Sequence, residues 1–380
     1  MYVIDTEGGH STLYVSPTGE TLLEDAGNPG TRDPDRIMAV INAAGVKQID
    51  HMIITHYHVD HVGGVEEIAK RIPIKHFIDH GPTVEQPEQV RGFQAMYAGL
   101  YSKVQHTVAK PGDKIALGAV DVTVVTSAKE VIKKALPGGG IPNPACAEYK
   151  DRDDSDTQAE NKESVGVVYT YGKYRSVNLG DFTWNQEAQL MCPNNPIGHV
   201  SLLLTPHHGI NQSNSVALIH GLAPEVVIMH NSTRKGGAPT TMQDVWTSPG
   251  LQDFWQLHWA YGAGLDNTPE RFIANIEDPK TVADVITGVI PAGGGFGGGG
   301  RGGSGGGRGG SGRGPGGGPG GPPPGFAAGG SGGRGGGRGP QVGGHDGPAF
   351  YIKVSAHSDG SFTVLNTRNN FSKTYAPMAK

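Results

Sequence analysis

Three histidines and an aspartate lie close together in the stretch ITHYHVDHVGG: His56, His58, Asp60 and His61. Side chains two residues apart on an extended segment point the same way, so the His56 and His58 imidazoles can reach one metal ion. A turn at Gly63–Gly64 is expected to aim Asp60 and His61 at a second position nearby. Imidazole and carboxylate donors together suit zinc, and also manganese or iron. The cluster therefore predicts a site for two divalent metal ions.

The order H-x-H-x-D-H, followed by two glycines, resembles the metal-binding motif of the metallo-β-lactamase superfamily. Further landmarks of that family follow in order, namely EDAG at Glu24–Gly27, NLGD with Asp181, and TPHHG with His207 and His208. The resemblance implies that Asp181 bridges two metals and that one of the two adjacent histidines completes the second site. His207 is chosen as that ligand, and His208 is expected to stabilise charge or protonate the leaving group. The expected metal ligands are His56, His58, Asp60, His61, Asp181 and His207.

One landmark of the family is missing. Most members place a further histidine shortly before the hairpin that leads to the bridging aspartate, whereas this chain has Ala159-Glu160-Asn161-Lys162 there. A Glu or Asn ligand, or a first site with fewer ligands, are the alternatives. This substitution, together with the HHG motif, resembles the branch that contains DNA-uptake competence hydrolase domains and phosphorylcholine esterase. Members of that branch act on phosphodiesters.

The predicted elements indicate an α/β fold, because strands and helices alternate and the polar clusters follow the ends of predicted strands. The family resemblance implies a four-layer αβ/βα sandwich with the site at one edge. The expected hydrolase domain covers residues 1–292, and a hairpin at residues 348–380 is expected to complete it. A helix is predicted over Met242–Tyr261, with its tryptophans in the core.

Residues 293–347 consist almost entirely of Gly, Pro, Ser and Arg. Such a segment has too little apolar surface to offset its ordering entropy, so a disordered insertion is expected. Its arginines resemble RGG segments that bind single-stranded nucleic acid, but few aromatic residues accompany them. A flexible insertion is preferred to a nucleic-acid-binding one.

The whole-chain properties restrict the class of protein. The formal net charge of −5 argues against a nucleic-acid platform over the entire surface. No apolar run reaches the length of a membrane span. The cysteines, Cys146 and Cys192, are expected to form a disulfide, which implies a periplasmic or extracellular protein whose signal peptide has been removed. Two free thiols would imply a cytoplasmic protein instead.

The function predicted from these features is that of a binuclear metal-dependent hydrolase. It would use a metal-bound hydroxide, with Asp60 both binding metal and orienting the nucleophile. A phosphodiester is the first substrate considered, and a lactone, β-lactam or thioester is the alternative within the fold. The alternative from another class is an RGG-type nucleic-acid-binding protein with a structural metal site. The sequence does not predict the oligomeric state.

Overall fold

The computed structural model describes residues 1–85, 88–153, 159–276 and 348–378. The strands are β1 (Tyr2–Val3), β2 (Thr12–Val15), β3 (Thr21–Glu24), β4 (His51–Ile53), β5 (His76–Asp79), β6 (Gln105–Val108), β7 (Lys114–Leu117), β8 (Val120–Ser127), β9 (Glu130–Val131), β10 (Ile141–Pro142), β11 (Gly166–Tyr171), β12 (Tyr174–Asn178), β13 (Asn194–Asn195), β14 (Leu202–Leu204), β15 (Val226–Met229), β16 (Asp253–His258), β17 (Ile273–Asn275), β18 (Ile352–Ala356), β19 (Phe362–Asn366) and β20 (Ser372–Tyr375). The α-helices are α1 (Arg32–Ala43), α2 (Val59–Val62), α3 (Val65–Arg71), α4 (Glu88–Tyr101), α5 (Trp184–Met191), α6 (Val216–Leu222) and α7 (Pro239–Trp246). Short 3-10 helices cover Pro144–Ala147, Ala159–Glu163, Pro206–Gly209, Tyr261–Asp266 and Glu270–Phe272.

Two large sheets form the centre of the fold. In the first sheet the strands follow the order β20-β19-β18-β1-β2-β3-β4-β5-β6. In the second sheet the order is β17-β16-β15-β14-β12-β11-β8-β7, with β9 pairing with β8. Neighbouring strands from β3 to β6, and from β14 to β17, are parallel. Because parallel strands end at the same edge of a sheet, the loops after β3, β4, β14 and β15 can contribute to one site.

The sheets pack face to face through buried apolar side chains. Leu22 and Ile53 of the first sheet contact the same core as Val124 and Val167 of the second. The outer face of the first sheet packs against α1 and α3, and that of the second against α5, α6 and α7. This arrangement is the predicted α/β fold with αβ/βα layers.

The C-terminal hairpin belongs to the first sheet. Strand β18 pairs antiparallel with β1, with Lys353 opposite Tyr2, and β19 and β20 extend the sheet further. Residues on both sides of the Gly-rich segment thus share one sheet. The predicted disordered insertion at residues 293–347, and its boundary with the hydrolase domain, lie outside the described residues and stay predictions.

The helix predicted over Met242–Tyr261 is wrong over most of its length. Helix α7 ends at Trp246, and the chain then forms β16, the parallel neighbour of β15. Pro249 and Gly250 lie between the two elements, and Pro249 cannot supply a helical N–H hydrogen bond. Trp255 is fully buried, as predicted, but it is buried from a strand. Within the described part of the chain, no helix has the length and apolar composition needed to cross a membrane.

Candidate metal centre

The candidate site lies where several strands end. His56, His58, Asp60 and His61 follow β4, Asp181 follows β12, and His207 and His208 follow β14. These residues are far apart in sequence, and the topology brings their side chains to the same edge of the sandwich. His56 and His61 are fully buried, and Asp181 and His208 nearly so. The structure therefore gathers every histidine and aspartate that the sequence proposes for the metal site.

Four of these side chains form the tightest part of the cluster. Asp60, His61, Asp181 and His208 each offer a donor atom within 4.8 Å of the others. His208 Nε2 lies 3.2 Å from Asp60 Oδ2 and 3.4 Å from Asp181 Oδ2. His61 Nε2 lies 3.2 Å from Asp181 Oδ1 and 3.6 Å from Asp60 Oδ2. Two imidazoles and two carboxylates in this arrangement match the donors that divalent transition metals prefer.

The other three histidines extend the cluster around Asp181. His207 Nε2 is 3.4 Å from Asp181 Oδ2, and His56 Nε2 is 3.9 Å from the same oxygen. His58 Nδ1 is 2.9 Å from His56 Nε2. Four imidazoles therefore surround the Asp181 carboxylate, with His61 at Oδ1 and His56, His207 and His208 at Oδ2, so one carboxylate is near enough donors to be shared by two ions.

Hydrogen bonds on the side of each ring that faces away from the cluster determine which imidazole nitrogen is bare, that is, carries no proton. Thr55 Oγ1 donates to Asp25 Oδ2 and so accepts from His56 Nδ1, at 3.1 Å. His208 Nδ1 donates to the His230 carbonyl at 3.1 Å. These contacts place the proton on Nδ1 and leave Nε2 bare toward the cluster. Bare Nε2 atoms directed at ionised carboxylates are the form in which histidine binds a metal.

His207 is held in the same way. Ser213 Oγ donates to the Phe182 carbonyl at 2.7 Å, so it accepts from His207 Nδ1 at 3.3 Å.

His207 and His208 both adopt left-handed backbone conformations, with φ of 51° and 56°. Such φ values are unfavourable for residues with a Cβ atom, and consecutive examples are typical of functional sites. The left-handed turn lets two adjacent imidazoles both reach Asp181.

Asp25, in the EDAG stretch, orients His61. Its Oδ2 atom accepts from His61 Nδ1 at 2.7 Å and from Thr55 Oγ1 at 2.7 Å, and its Oδ1 atom accepts from the Thr55 N–H at 2.8 Å. The His10 imidazole also lies near Asp25, with its Nδ1 atom 3.0 Å from Asp25 Oδ2. The sequence marked EDAG as a family landmark but assigned Asp25 no role. The sequence signal for such a role was the position of Asp25 directly after β3.

The charges of the buried groups favour cation binding. Burial opposes protonation of His61, but the carboxylates of Asp181, Asp25 and Asp60 together hold its pKa well above the usual value. Burial alone would raise the pKa of Asp181, yet the surrounding imidazoles, that of His61 first, hold it well below the usual range. Burial lowers the pKa of His207 to about 3. The site therefore combines ionised carboxylates with a protonated His61 and a neutral His207, and a divalent cation would replace the His61 proton as the balancing charge.

Glu160 and Asn161, which lie in the segment that replaces the missing family histidine, have different surroundings. Both carboxylate oxygens of Glu160 are used, since Oε1 lies 2.7 Å from His80 Nε2 and Oε2 accepts from Thr83 Oγ1 at 2.7 Å. Asn161 instead faces the cluster, with Nδ2 3.4 Å from His207 Nε2. Its Oδ1 atom is buried and has no hydrogen-bond partner among the described residues. Glu160 is therefore structural, whereas Asn161 remains next to the donors.

Lys235 also reaches the cluster, from the loop after β15. Its ammonium donates a hydrogen bond to Asp60 Oδ2. Arg234 and Lys235 are neighbouring cations in the loop stretch NSTRKGG. Arg234 has its guanidinium 5.4 Å from the Tyr261 ring centre. Of these two cations, Lys235 is the one that contacts a candidate ligand.

Cys146 and Cys192 form the expected disulfide, with Cα atoms 5.8 Å apart. The bond joins the 3-10 helix Pro144–Ala147 to the end of α5. Helix α5 begins three residues after Asp181, so the bridge lies near the elements that carry the site.

Comparison with known proteins gives partial matches. Residues 5–155 match the sequence profile of the metallo-beta-lactamase superfamily, and this segment contains His56–His61 but ends before Asp181. A beta-lactamase-like protein 2 homolog from Caenorhabditis elegans is 29% identical over 117 residues, covering 29% of this chain and 40% of that protein. A ribonuclease Z from Methanopyrus kandleri is 26% identical over 121 residues, covering 31% of this chain and 39% of that enzyme. The chain thus spans 40% or less of these curated relatives.

Among solved structures, the metallo-beta-lactamase fold protein YhfI from Bacillus subtilis is similar, with a TM-score of 0.40 and 12% identity. The match covers 67% of this chain and 94% of YhfI. Residues 5–155, the segment that holds the H-x-H-x-D-H cluster, are therefore similar to the metallo-beta-lactamase superfamily.

Proposed function

We propose that this protein is a binuclear metal-dependent hydrolase whose substrate is a phosphodiester. The observation that carries the proposal is the convergence of unprotonated imidazole nitrogens on the two ionised carboxylates of Asp60 and Asp181. A purely structural metal site closes its coordination shell, whereas this cluster has donors for two ions and lies at the edge where substrates reach α/β sandwiches. The mixed nitrogen and oxygen donors favour zinc, with manganese or iron as alternatives.

The geometry supports a specific division of the ligands. Asp60, His61 and His208 would hold one ion, because their donor atoms lie within 4.8 Å of one another. His56, His58 and His207 would hold the other, with Asp181 shared by both. The sequence suggested His207 as the ligand and His208 as the acid, whereas this proposal makes both of them ligands, one for each ion. His207 then occupies the place of the missing family histidine.

Bound divalent metals would lower the pKa of a coordinated water and polarise the scissile bond. Asp60 is well suited to orient that water. Burial opposes its ionisation, but Lys235, then His61, hold the pKa of its carboxyl well below the usual range. It therefore accepts a hydrogen bond without taking the proton. His208 has its Nδ1 proton on the His230 carbonyl and its Nε2 atom in the cluster, so it is better placed as a ligand than as an acid.

A phosphodiester is preferred as substrate for two reasons. The ribonuclease Z relative, although it matches over only 121 residues, acts on RNA by its name. In addition, Lys235 offers a positive charge beside Asp60. A lactone, β-lactam or thioester is the alternative within the fold. The nucleic-acid-binding alternative depends on the Gly-rich segment, which lies outside the described residues, and the competence-type branch also stays a prediction.

Metal analysis combined with a substrate panel tests the proposal. The protein should contain two divalent ions per chain and hydrolyse bis-p-nitrophenyl phosphate faster than nitrocefin or a simple lactone. The Asp60→Ala variant, checked for folding by circular dichroism, should be inactive. A folded Asp60→Ala variant with near wild-type turnover would contradict the mechanism. Faster turnover of nitrocefin or the lactone would contradict the phosphodiester assignment.

A further inference from the structure

Lys235 is placed between the metal cluster and solvent. Its side chain is 34% exposed, and the Asp60 side chain that it contacts is 17% exposed. Both groups are thus more accessible than His61 or His208, which are almost fully buried. An anion that enters from solvent would meet the Lys235 ammonium at the edge of the cluster.

The backbone around Lys235 is fixed by its neighbours. Ser232 N–H donates to the Lys235 carbonyl at 2.9 Å, and Lys235 N–H donates to Ser232 Oγ at 3.0 Å. Gly236 has φ of 100°, and a Cβ atom there would lie 2.1 Å from the His208 carbonyl oxygen. On the other side, a Cβ atom on Gly8 would lie 3.2 Å from Lys235 Cβ. The lysine therefore extends from a rigid turn that rests on the His208 backbone, unlike a freely solvated loop charge.

The charges of the metal-loaded site indicate what the Lys235 ammonium would contact there. When divalent ions occupy the cluster, their charge exceeds that of the Asp60 and Asp181 carboxylates, and Lys235 adds to the excess. Asp60 would then be shared between an ion and the lysine, and its hydrogen bond to Lys235 would weaken. A site with excess positive charge and an accessible ammonium favours an anionic substrate.

We propose that Lys235 is a specificity-determining residue that binds a non-bridging oxygen of a substrate phosphodiester, which deepens the proposed function and rests on it. Water adds to phosphorus, the bond from phosphorus to the leaving oxygen breaks, and the proton from water ends on the leaving alcohol. The non-bridging oxygens carry negative charge before and during this step, so Lys235 stabilises both states. A neutral ester offers no such charge in its ground state.

The Lys235→Gln variant tests this role with two substrates that share a leaving group. On anionic bis-p-nitrophenyl phosphate, kcat/KM should fall roughly ten- to a hundredfold, as expected for loss of a charge-assisted hydrogen bond. On its neutral methyl triester, kcat/KM should change less than about threefold, because that substrate lacks the anionic oxygen. Lys173→Gln, an exposed lysine in the turn between β11 and β12, removes the same charge and should change neither value. Lys235→Arg should restore part of the activity on the diester.

Two further measurements separate this role from a structural one. Metal content should be unchanged in Lys235→Gln, and calorimetry should show weaker binding of inorganic phosphate to the metal-loaded variant than to wild type. Equal losses on diester and triester, or loss of metal, would overturn the proposal, since Lys235 would then act only through Asp60. If wild type hydrolyses neither substrate, the proposed function fails. In that case unchanged phosphate binding would still refute the Lys235 proposal, and weakened binding would support it.

Discussion

The two proposed groups of metal ligands, the Asp60 end and the His56 end, differ in how their imidazoles are held. At the Asp60 end, formed by Asp60, His61 and His208, a carboxylate and a backbone carbonyl accept the Nδ1 protons, at 2.7 and 3.1 Å. At the His56 end, formed by His56, His58 and His207, hydroxyl groups accept the Nδ1 protons of His56 and His207, at 3.1 and 3.3 Å. One end is thus supported by a charged group and the other mainly by neutral ones.

This difference predicts unequal metal affinity. Hydrogen bonds to a charged partner are roughly twice as strong as neutral ones, and a carboxylate behind an imidazole increases its basicity. His58 does have a carboxylate partner in Glu85, but that contact is 3.3 Å long and partly exposed. We therefore expect the Asp60 end to bind metal more tightly, and the His56 end to lose it first during chelation.

The largest effect should come from Asp181→Ala, because Asp181 is the only carboxylate shared by the two ends in the proposed ligand set. Metal content should fall at both ends, and kcat/KM should fall by about a thousandfold or more, since electrostatic stabilisation by both ions is lost. Elemental analysis and steady-state kinetics measure the two effects. Asp121→Ala removes an exposed carboxylate from β8 and is the control. Unchanged metal stoichiometry in Asp181→Ala would refute the bridging role.

Asp25→Asn should affect the Asp60 end selectively. The amide keeps the size of the side chain but removes the charge behind His61, so metal affinity there should fall about ten- to a hundredfold. Stepwise chelator titration of wild type and variant measures the affinity of each end. Because Asp25 also accepts the Thr55 N–H, thermal unfolding of both metal-free proteins should be compared in parallel. Equal losses at both ends would contradict the asymmetry.

The sequence predicted the layers and the donor types better than the individual roles. The H-x-H-x-D-H spacing is local, so the way His56 and His61 approach one site follows from the chain geometry. The choice between His207 and His208 depends on two left-handed φ values, which the letters HHG do not encode. The contact of Lys235 with Asp60 could not be predicted from the sequence, because the two residues are 175 positions apart. Likewise, the periodicity over Met242–Tyr261 predicted a helix in place of β16, because the pairing of β16 with β15 is non-local.

Proton release should also distinguish the two ends. The carboxylates around His61 hold its pKa above the usual value despite burial, so the metal-free protein keeps that proton at neutral pH. Burial lowers the pKa of His56 and His207, so those rings are already neutral. As the pH rises, affinity at the Asp60 end should increase more steeply than affinity at the His56 end, because metal binding there must displace the His61 proton.

Calorimetric metal titrations in buffers of different ionisation enthalpy count the released protons directly. The tighter binding step should release about one proton more than the weaker step. The Asp25→Asn variant is the matched control, because loss of its charge should lower the pKa of His61 and reduce the proton release. Equal proton release in the two wild-type steps would contradict the assignment of the charged imidazole to the tighter end.

The smallest effect is expected from Ser213→Ala at the His56 end. Ser213 Oγ accepts from His207 Nδ1 at 3.3 Å while donating to the Phe182 carbonyl, so its removal frees the ring to rotate and to exchange its protonated nitrogen. A neutral hydrogen bond contributes about 1 kcal/mol, which corresponds to a loss of about fivefold in metal affinity at this end. Chelator titration measures it, with Ser102→Ala, an exposed serine, as the control. The Asp60 end should keep its affinity, because its imidazoles do not depend on Ser213. A loss as large as that of Asp25→Asn would show that a hydroxyl partner orients a ligand as effectively as a carboxylate, and the two ends would then be equivalent.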